Sequence, residues 1–293
     1  MRFRLTAAAL LLLPGIAMAA KTKPAPSAKP SPTAKPSPSP TAKPSPSPTA
    51  KPVAPGKDKD LAGDAIIEKM LEQDPLGFGG ADAHVLMVLV DERGGERKRN
   101  ADMLTRKDGK TRRSFIRFTA PADIAGTAFL GVDDAGERVQ HLYLPALEKT
   151  RRIASNQRNA RWVGTDYSYA DLDNRDLQDA SKLRLPDEKL GNDLTYVVET
   201  TPSDKSSEYA KVRVWVSKTT WLPVRIRFFD GAGVEVKRLT VHEVKKVSGK
   251  WIITESKMVD VKRDHTTVIK VVDITLRKDV PLDQFTVRAL ERG

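Results

Sequence analysis

The sequence predicts a mainly β chain with a few helices: one strongly curved antiparallel sheet folded over a single apolar face. Three observations carry this expectation. Residues 211–276 alternate apolar and polar side chains in segments separated by turn residues. Residues 84–119 repeat that pattern with two hairpin signals, Gly94-Gly95 and Asp108-Gly109. Helical spacing, in contrast, opens the folded part and then gives way to a period of two.

The opening helix rests on Ile66, Ile67, Met70 and Leu71, with Pro75 and Gly77-Phe78-Gly79-Gly80 ending it. His84 to Val90 is apolar on both faces, as a strand covered on both sides would be. A polar strand, Glu96 to Arg106, and a third, Arg113 to Thr119, follow. In the second half Val212, Val214 and Val216 alternate with Lys211, Arg213 and Trp215, and Val224, Ile226 and Phe228 alternate with Arg225 and Arg227. Asp230-Gly231-Ala232-Gly233 turns into Val234 to Val244, Ser248-Gly249 precedes Trp251 to Lys262, and Arg263-Asp264 precedes His265 to Leu276. These are long neighbouring hairpins with one wet face each. The irregular stretch from Ser155 to Asp179 and the terminal Pro281 to Arg292 are the expected covers.

Ahead of this domain the composition changes twice. Residues 1–20 have a basic start, Met1-Arg2-Phe3-Arg4, then an apolar run from Leu5 to Ile16 and the small-x-small pattern Ala17-Met18-Ala19. That is the layout of a secretory signal peptide cleaved near Ala19 or Ala20. The run is also shorter than the ~20 residues a membrane-spanning helix needs. Residues 21–60 hold 12 prolines and repeat Thr-Ala-Lys-Pro-Ser-Pro-Ser-Pro at 33–40 and 41–48. With almost nothing apolar to bury, this stretch is expected to be a disordered, extended spacer. The third segment, 61–293, is the folded domain.

The charge follows the same division. Of the formal +12, the first segment carries +2 and the spacer +6, which leaves +4 for 233 residues. A nearly neutral domain removes the main support for a nucleic-acid partner. The chain has no cysteine, which excludes disulfides, thiolate metal sites, cysteine nucleophiles and lipidation at a signal-peptide cysteine.

Catalytic groupings are sparse. The four histidines, His84, His141, His242 and His265, form no metal-type pair, and each reads as a structural histidine. Asp264-His265 reads as a turn pair, since no serine stands in a G-x-S-x-G elbow. Asp171-Leu172-Asp173-Asn174-Arg175-Asp176 resembles a calcium loop only briefly: Arg175 takes a ligand position and Asp176 the place of the sharp-turn glycine, so a solvated loop is expected. The expectation is a non-enzymatic protein without a cofactor. One basic cluster remains, Arg151, Arg152, Arg158 and Arg161, beside Trp162, Tyr167 and Tyr169. Two readings stay open for it: a rim that holds phosphate or an acidic partner, or a solvated loop.

Four stretches resemble the outer-membrane lipoprotein-sorting proteins. They are Phe118-Thr119-Ala120-Pro121-Ala122-Asp123-Ile124-Ala125-Gly126-Thr127-Ala128; Leu142-Tyr143-Leu144-Pro145-Ala146-Leu147 with Arg151-Arg152-Ile153; Gly164-Thr165-Asp166-Tyr167-Ser168-Tyr169-Ala170-Asp171-Leu172; and Glu199-Thr200-Thr201-Pro202. The resemblance implies a LolA-like fold, an incomplete antiparallel β-barrel with a helical lid whose concave apolar face shelters acyl chains in the periplasm. It also implies an arginine that contacts the lid. Arg117 is the nearest match, although its proline, Pro121, stands four residues on rather than next to it.

The expected function is therefore that of a monomeric periplasmic carrier of lipid or lipoprotein acyl chains bound for the outer membrane. The partners it implies are an inner-membrane permease of the resistance-nodulation-division (RND) type or an outer-membrane acceptor. An envelope sensor or adaptor built on the same fold is the second reading. Candidate cavity residues are Leu86, Val88, Phe118, Tyr143, Leu144, Ile226 and Phe228, which serve equally well as core under the lid. Candidate rim or headgroup residues are Arg117, Arg151, Arg152, Trp162, Tyr167 and Tyr169.

Overall fold

The computed structural model describes residues 61–73 and 80–292. The expected signal peptide, the spacer up to residue 60 and most of the turn at Pro75 to Gly80 lie outside them. Helix α1 (Gly63–Glu72) comes first. Strands β1 (Gly80–Val90), β2 (Glu96–Asp108), β3 (Thr111–Ala120), β4 (Ala128–Asp134), β5 (Glu137–Leu144) and β6 (Lys149–Arg152) then run as an antiparallel meander. A crossing segment, 153–179, holds three 3-10 turns and the short helix α2 (Arg175–Gln178). It leads to β7 (Ala180–Leu190), β8 (Asp193–Pro202), β9 (Lys211–Ser217), β10 (Pro223–Phe229), β11 (Glu235–Val247), β12 (Lys250–Asp260) and β13 (His265–Leu276). A 3-10 turn (Leu282–Phe285) and helix α3 (Val287–Glu291) close the chain.

All 13 strands form one antiparallel sheet in the order β6-β5-β4-β3-β2-β1-β13-β12-β11-β10-β9-β8-β7. Its end strands, β6 and β7, are not paired with each other, so the curved sheet stays open. The first half of the chain builds outward from the centre to one edge. The crossing segment then carries the chain to the other edge, and the second half builds back until β13 pairs with β1. Crossing from edge to edge lays residues 153–179 over the inner face.

The register tells the two faces apart. On the inner face Val85, Met87, Met103, Ile116, Phe118, Phe129 and Leu142 form one buried cluster beneath Trp162 and Tyr169. Met87 pairs with Ile269, Ile269 with Ser256, Thr267 with Met258 and Met258 with Leu239, so the same face continues into the second half. There Ile66, Ile67 and Met70 of α1 meet Tyr196, Val198, Val212, Val214, Ile226, Phe228 and Met258. The predicted helix is thus present and buries the predicted stripe. Its close seat on β7 depends on Gly63, where a Cβ would meet the Lys182 carbonyl oxygen at 3.1 Å.

The outer face bears a third, smaller cluster. Phe115, Ala128 and Leu130 receive Val280, Phe285 and Leu290 from the C-terminal segment. The expectation that 281–292 covers the sheet is met on this face, opposite the crossing segment.

Candidate lipid cavity

An apolar hollow of about 950 Å³, including its open mouth, remains on the inner face between α1, the crossing segment and β10–β12. Met70 and Leu71 of α1, Ile226 and Phe228 of β10, Leu239 of β11, and Ile253 and Met258 of β12 form its walls. Tyr167, Ala170 and Leu177 of the crossing segment form its roof. On β10 the wall follows from strand alternation, since Ile226 and Phe228 turn inward while Arg225 and Arg227 turn out; on β12 the polar Ser256 faces the cavity beside Met258. The lining is that of a ligand site, largely apolar with a few polar groups, among them Asp171, Asp176 and Ser256.

The crossing segment closes the other half of the inner face. Trp162 is 1% exposed and packs on Phe118 and Phe129 with ring centroids 5.6 Å and 5.9 Å away. Tyr169 covers Phe129 from 6.2 Å, and its main-chain carbonyl accepts from the Gln140 amide at 2.8 Å. Aromatic side chains therefore fill the space over β1–β5 and leave the space over β10–β12 open.

Polar anchors hold this segment down. Asp166, fully buried, accepts from His265 Nδ1 at 2.8 Å, from the Thr267 hydroxyl at 2.6 Å and from Arg161 at 3.2 Å. Asp171 receives Lys237 Nζ at 3.3 Å and the Tyr209 hydroxyl at 3.0 Å. Burial pushes the Lys237 ammonium down, but the nearby Asp171 and Glu208 carboxylates outweigh it and leave the group above its ordinary value. Asp173 pairs with Arg158. Residues 171–176 are thus no solvated loop, because their carboxylates face inward onto partners. Among the described residues no group of three His, Cys, Asp or Glu side chains is placed to hold a metal ion.

Asp176, at the cavity wall, has its carboxyl raised from 3.8 to about 6, first by burial and then by the neighbouring Asp171 and Asp173; Ser207 and Arg158 oppose the rise. A folded-state value above the unfolded one means that folding takes up a proton between about pH 4 and 6. Stability therefore falls as pH rises through that window, by about 3 kcal/mol in all. Asp176→Asn is expected to be more stable than the parent above pH 6 and to lose this slope, as urea unfolding at a series of pH values would reveal.

The sequence-derived candidates divide by face. Ile226 and Phe228 line the cavity, and Tyr167 roofs it. Phe118 lies on the inner face but under Trp162, and Leu144 is half-buried beside the same cluster. Leu86 and Val88 need correcting: they alternate with the inward Val85 and Met87 and so point outward, opposite Asn100 and Lys98. Tyr143 packs on the outer cluster. Trp162 and Tyr169 are buried plugs rather than rim residues. The four arginines of the basic cluster do not converge: Arg151 and Arg152 are exposed on β6, while Arg158 and Arg161 are spent on Asp173 and Asp166.

Arg117 does hold a helix, on the outer face. Its guanidinium donates to the carbonyls of Ala289 at 2.8 Å, Leu290 at 3.2 Å and Gly126 at 3.4 Å. Arg117→Ala is expected to cost about 1–2 kcal/mol and to speed amide exchange in residues 282–291 while sparing the cavity. Unchanged exchange there would contradict this role.

The four family-like stretches now have physical reasons. In the first, Gly126 takes φ +82° and packs against Pro145 of the second, where a Cβ would stand 3.4 Å from that ring. The third is the strap from Gly164 to Leu172, whose Asp166 and Asp171 are the anchors just described. In the fourth, Glu199 pairs with Lys211 and Arg213, and the Thr200 hydroxyl donates to the Asp176 carbonyl. Sequence reasoning missed the anchors His265, Thr267 and Lys237, which lie 66 to 101 residues from their partners.

Comparison with known proteins agrees with this architecture. An outer membrane lipoprotein-sorting protein domain from Vibrio parahaemolyticus is 27% identical, with a TM-score of 0.73 over 78% of this chain and 98% of that one. A DUF1329 family protein from Desulfovibrio piger is 25% identical, with a TM-score of 0.72 over 78% and 97%. A family model described as "uncharacterized protein" matches residues 110–292, more than half of the chain. The chain belongs to the family that this model describes. A LolA superfamily protein from Nitrosomonas europaea, 21% identical with a TM-score of 0.61 over 78% and 99%, shares the LolA-like fold. No curated protein matches the sequence.

Proposed function

We propose that this protein, similar to a lipoprotein-sorting domain, is a periplasmic carrier that shelters the acyl chains of a lipid or lipoprotein on their way to the outer membrane. The observation that carries the reading is the apolar hollow under Tyr167. An open, largely apolar cavity in a well-packed protein costs contacts that a bound chain would restore. Each methylene taken out of water contributes ~0.8 kcal/mol, so a sheltered chain crosses an aqueous space that a bare one could not. In this reading residues 1–20 direct export and are removed near Ala19 or Ala20, residues 21–60 form a spacer, and residues 61–293 carry the cargo. Ile226, Phe228 and Tyr167 touch the chain, and an inner-membrane RND-type permease or an outer-membrane acceptor exchanges it. Titration with a fluorescent fatty-acyl probe tests the reading: saturable binding at one site per chain is expected, and no uptake at any probe concentration would overturn it.

A further inference from the structure

The apolar cavity opens beside a second, polar hollow, and the two share Leu71 and Arg112 as lining residues. One wall of the polar hollow is the β2–β3 hairpin, which contributes Lys107, Lys110 and Arg112. The facing wall is α1, which contributes Glu68 and Glu72. These five make no ion pair among the described residues. The other charged pair in this hollow, Lys182 and Asp64, is satisfied internally at 3.2 Å.

Two details sharpen the point. Lys107 and Arg112 stand directly opposite each other in the β2–β3 register, where like charges repel. Asp133, the β4 residue opposite Arg112, is already engaged by Arg138 at 3.4 Å. A basic wall and an acidic wall, both unpaired, thus face one another at the mouth of an apolar cavity. Guanidinium and ammonium groups on the hairpin suit phosphate oxygens, and carboxylates on the helix suit an amine.

We propose that the cargo is a lipid with a zwitterionic headgroup, its phosphate held by Arg112 and Lys107, its amine by Glu68 and Glu72, and its chain in the apolar cavity. This rests on the carrier reading above and adds the headgroup class to it. The polar hollow reads the headgroup and the apolar one reads only chain bulk. Specificity then comes from the unpaired walls, since leaving them empty preserves a repulsive pair that a phosphate would relieve.

The test uses the full-length protein and a fluorescent fatty-acyl probe. Competitors are lysophosphatidylethanolamine, lysophosphatidylglycerol and monoacylglycerol of one short chain length below their micelle concentrations, with glycerophosphoethanolamine as the headgroup without a chain. The zwitterionic lysolipid is expected to displace the probe at about fivefold lower concentration than monoacylglycerol, the size of effect of one partly exposed charge pair. Arg112→Gln is expected to erase that advantage, weakening the zwitterionic lysolipid about fivefold more than monoacylglycerol. Glu72→Gln is expected to bring the zwitterion level with the anionic lysolipid, and the free headgroup is expected to displace nothing. Equal potency of all three lysolipids on the parent protein, or an equal loss for all three in Arg112→Gln, would overturn the headgroup site and leave the carrier reading standing. Failure of the probe itself to bind would remove both.

Discussion

Replacing Trp162 by alanine is expected to destabilise the domain by about 3–5 kcal/mol and to lower its Tm by roughly 10 °C. Trp162 is among the largest fully buried side chains, and it is the plug between the crossing segment and one half of the inner face. Removing it empties the space over Phe118 and Phe129, both rigidly held in neighbouring strands, so little collapse is available to fill the gap. Its indole Nε1 has no hydrogen-bond partner among the described residues. Trp162→Phe therefore loses area but no hydrogen bond and is expected to cost only about 1 kcal/mol. Urea unfolding of the two variants separates these values. A loss below 1 kcal/mol for Trp162→Ala would mean that the plug contributes nothing to holding the strap.

The second large effect concerns binding. Leu239 is partly buried, faces inward from β11 and lines the apolar cavity. Leu239→Trp would place an indole where cargo is proposed to lie. Denying a chain about three methylenes of shelter costs about 2 kcal/mol, a loss of roughly thirtyfold in acyl-probe affinity. Stability is expected to change little, because the added ring fills space that is already open. A variant of normal stability that binds the probe as tightly as the parent would place the cargo elsewhere.

Much of the fold was legible because the second half alternates cleanly: Val212 to Val216 and Val224 to Phe228 announce both their strand type and their inward face. The hairpins at Gly94-Gly95 and Asp108-Gly109 were equally plain. Strand β7 was not, since its sequence, Ala-Ser-Lys-Leu-Arg-Leu-Pro-Asp-Glu-Lys-Leu, mixes charges and a proline at an open sheet edge and offers no period to read. Leu86 and Val88 failed for the opposite reason. β1 is apolar on both faces, so alternation cannot say which side is inward, and only its pairing with β2 and β13 decides.

At the site, the residues found from sequence were those on strands with one wet face, Ile226 and Phe228. The strap was recognisable as an irregular cover, but its anchors were not. No local pattern joins Asp166 to His265 or Asp171 to Lys237, because each pair exists only once the chain has crossed the sheet and returned. The basic cluster misled in the same way: adjacency in sequence placed Arg151, Arg152, Arg158 and Arg161 together, whereas the fold sends two to the β6 edge and spends two on buried carboxylates.

The central claim is that the hollow beneath Tyr167 carries an acyl chain. Native mass spectrometry of the full-length protein isolated from the cell envelope tests it most directly. The account predicts one lipid-mass adduct per chain in the parent protein and a largely adduct-free Leu239→Trp variant. A parent protein that is lipid-free and takes up none from added vesicles would contradict it.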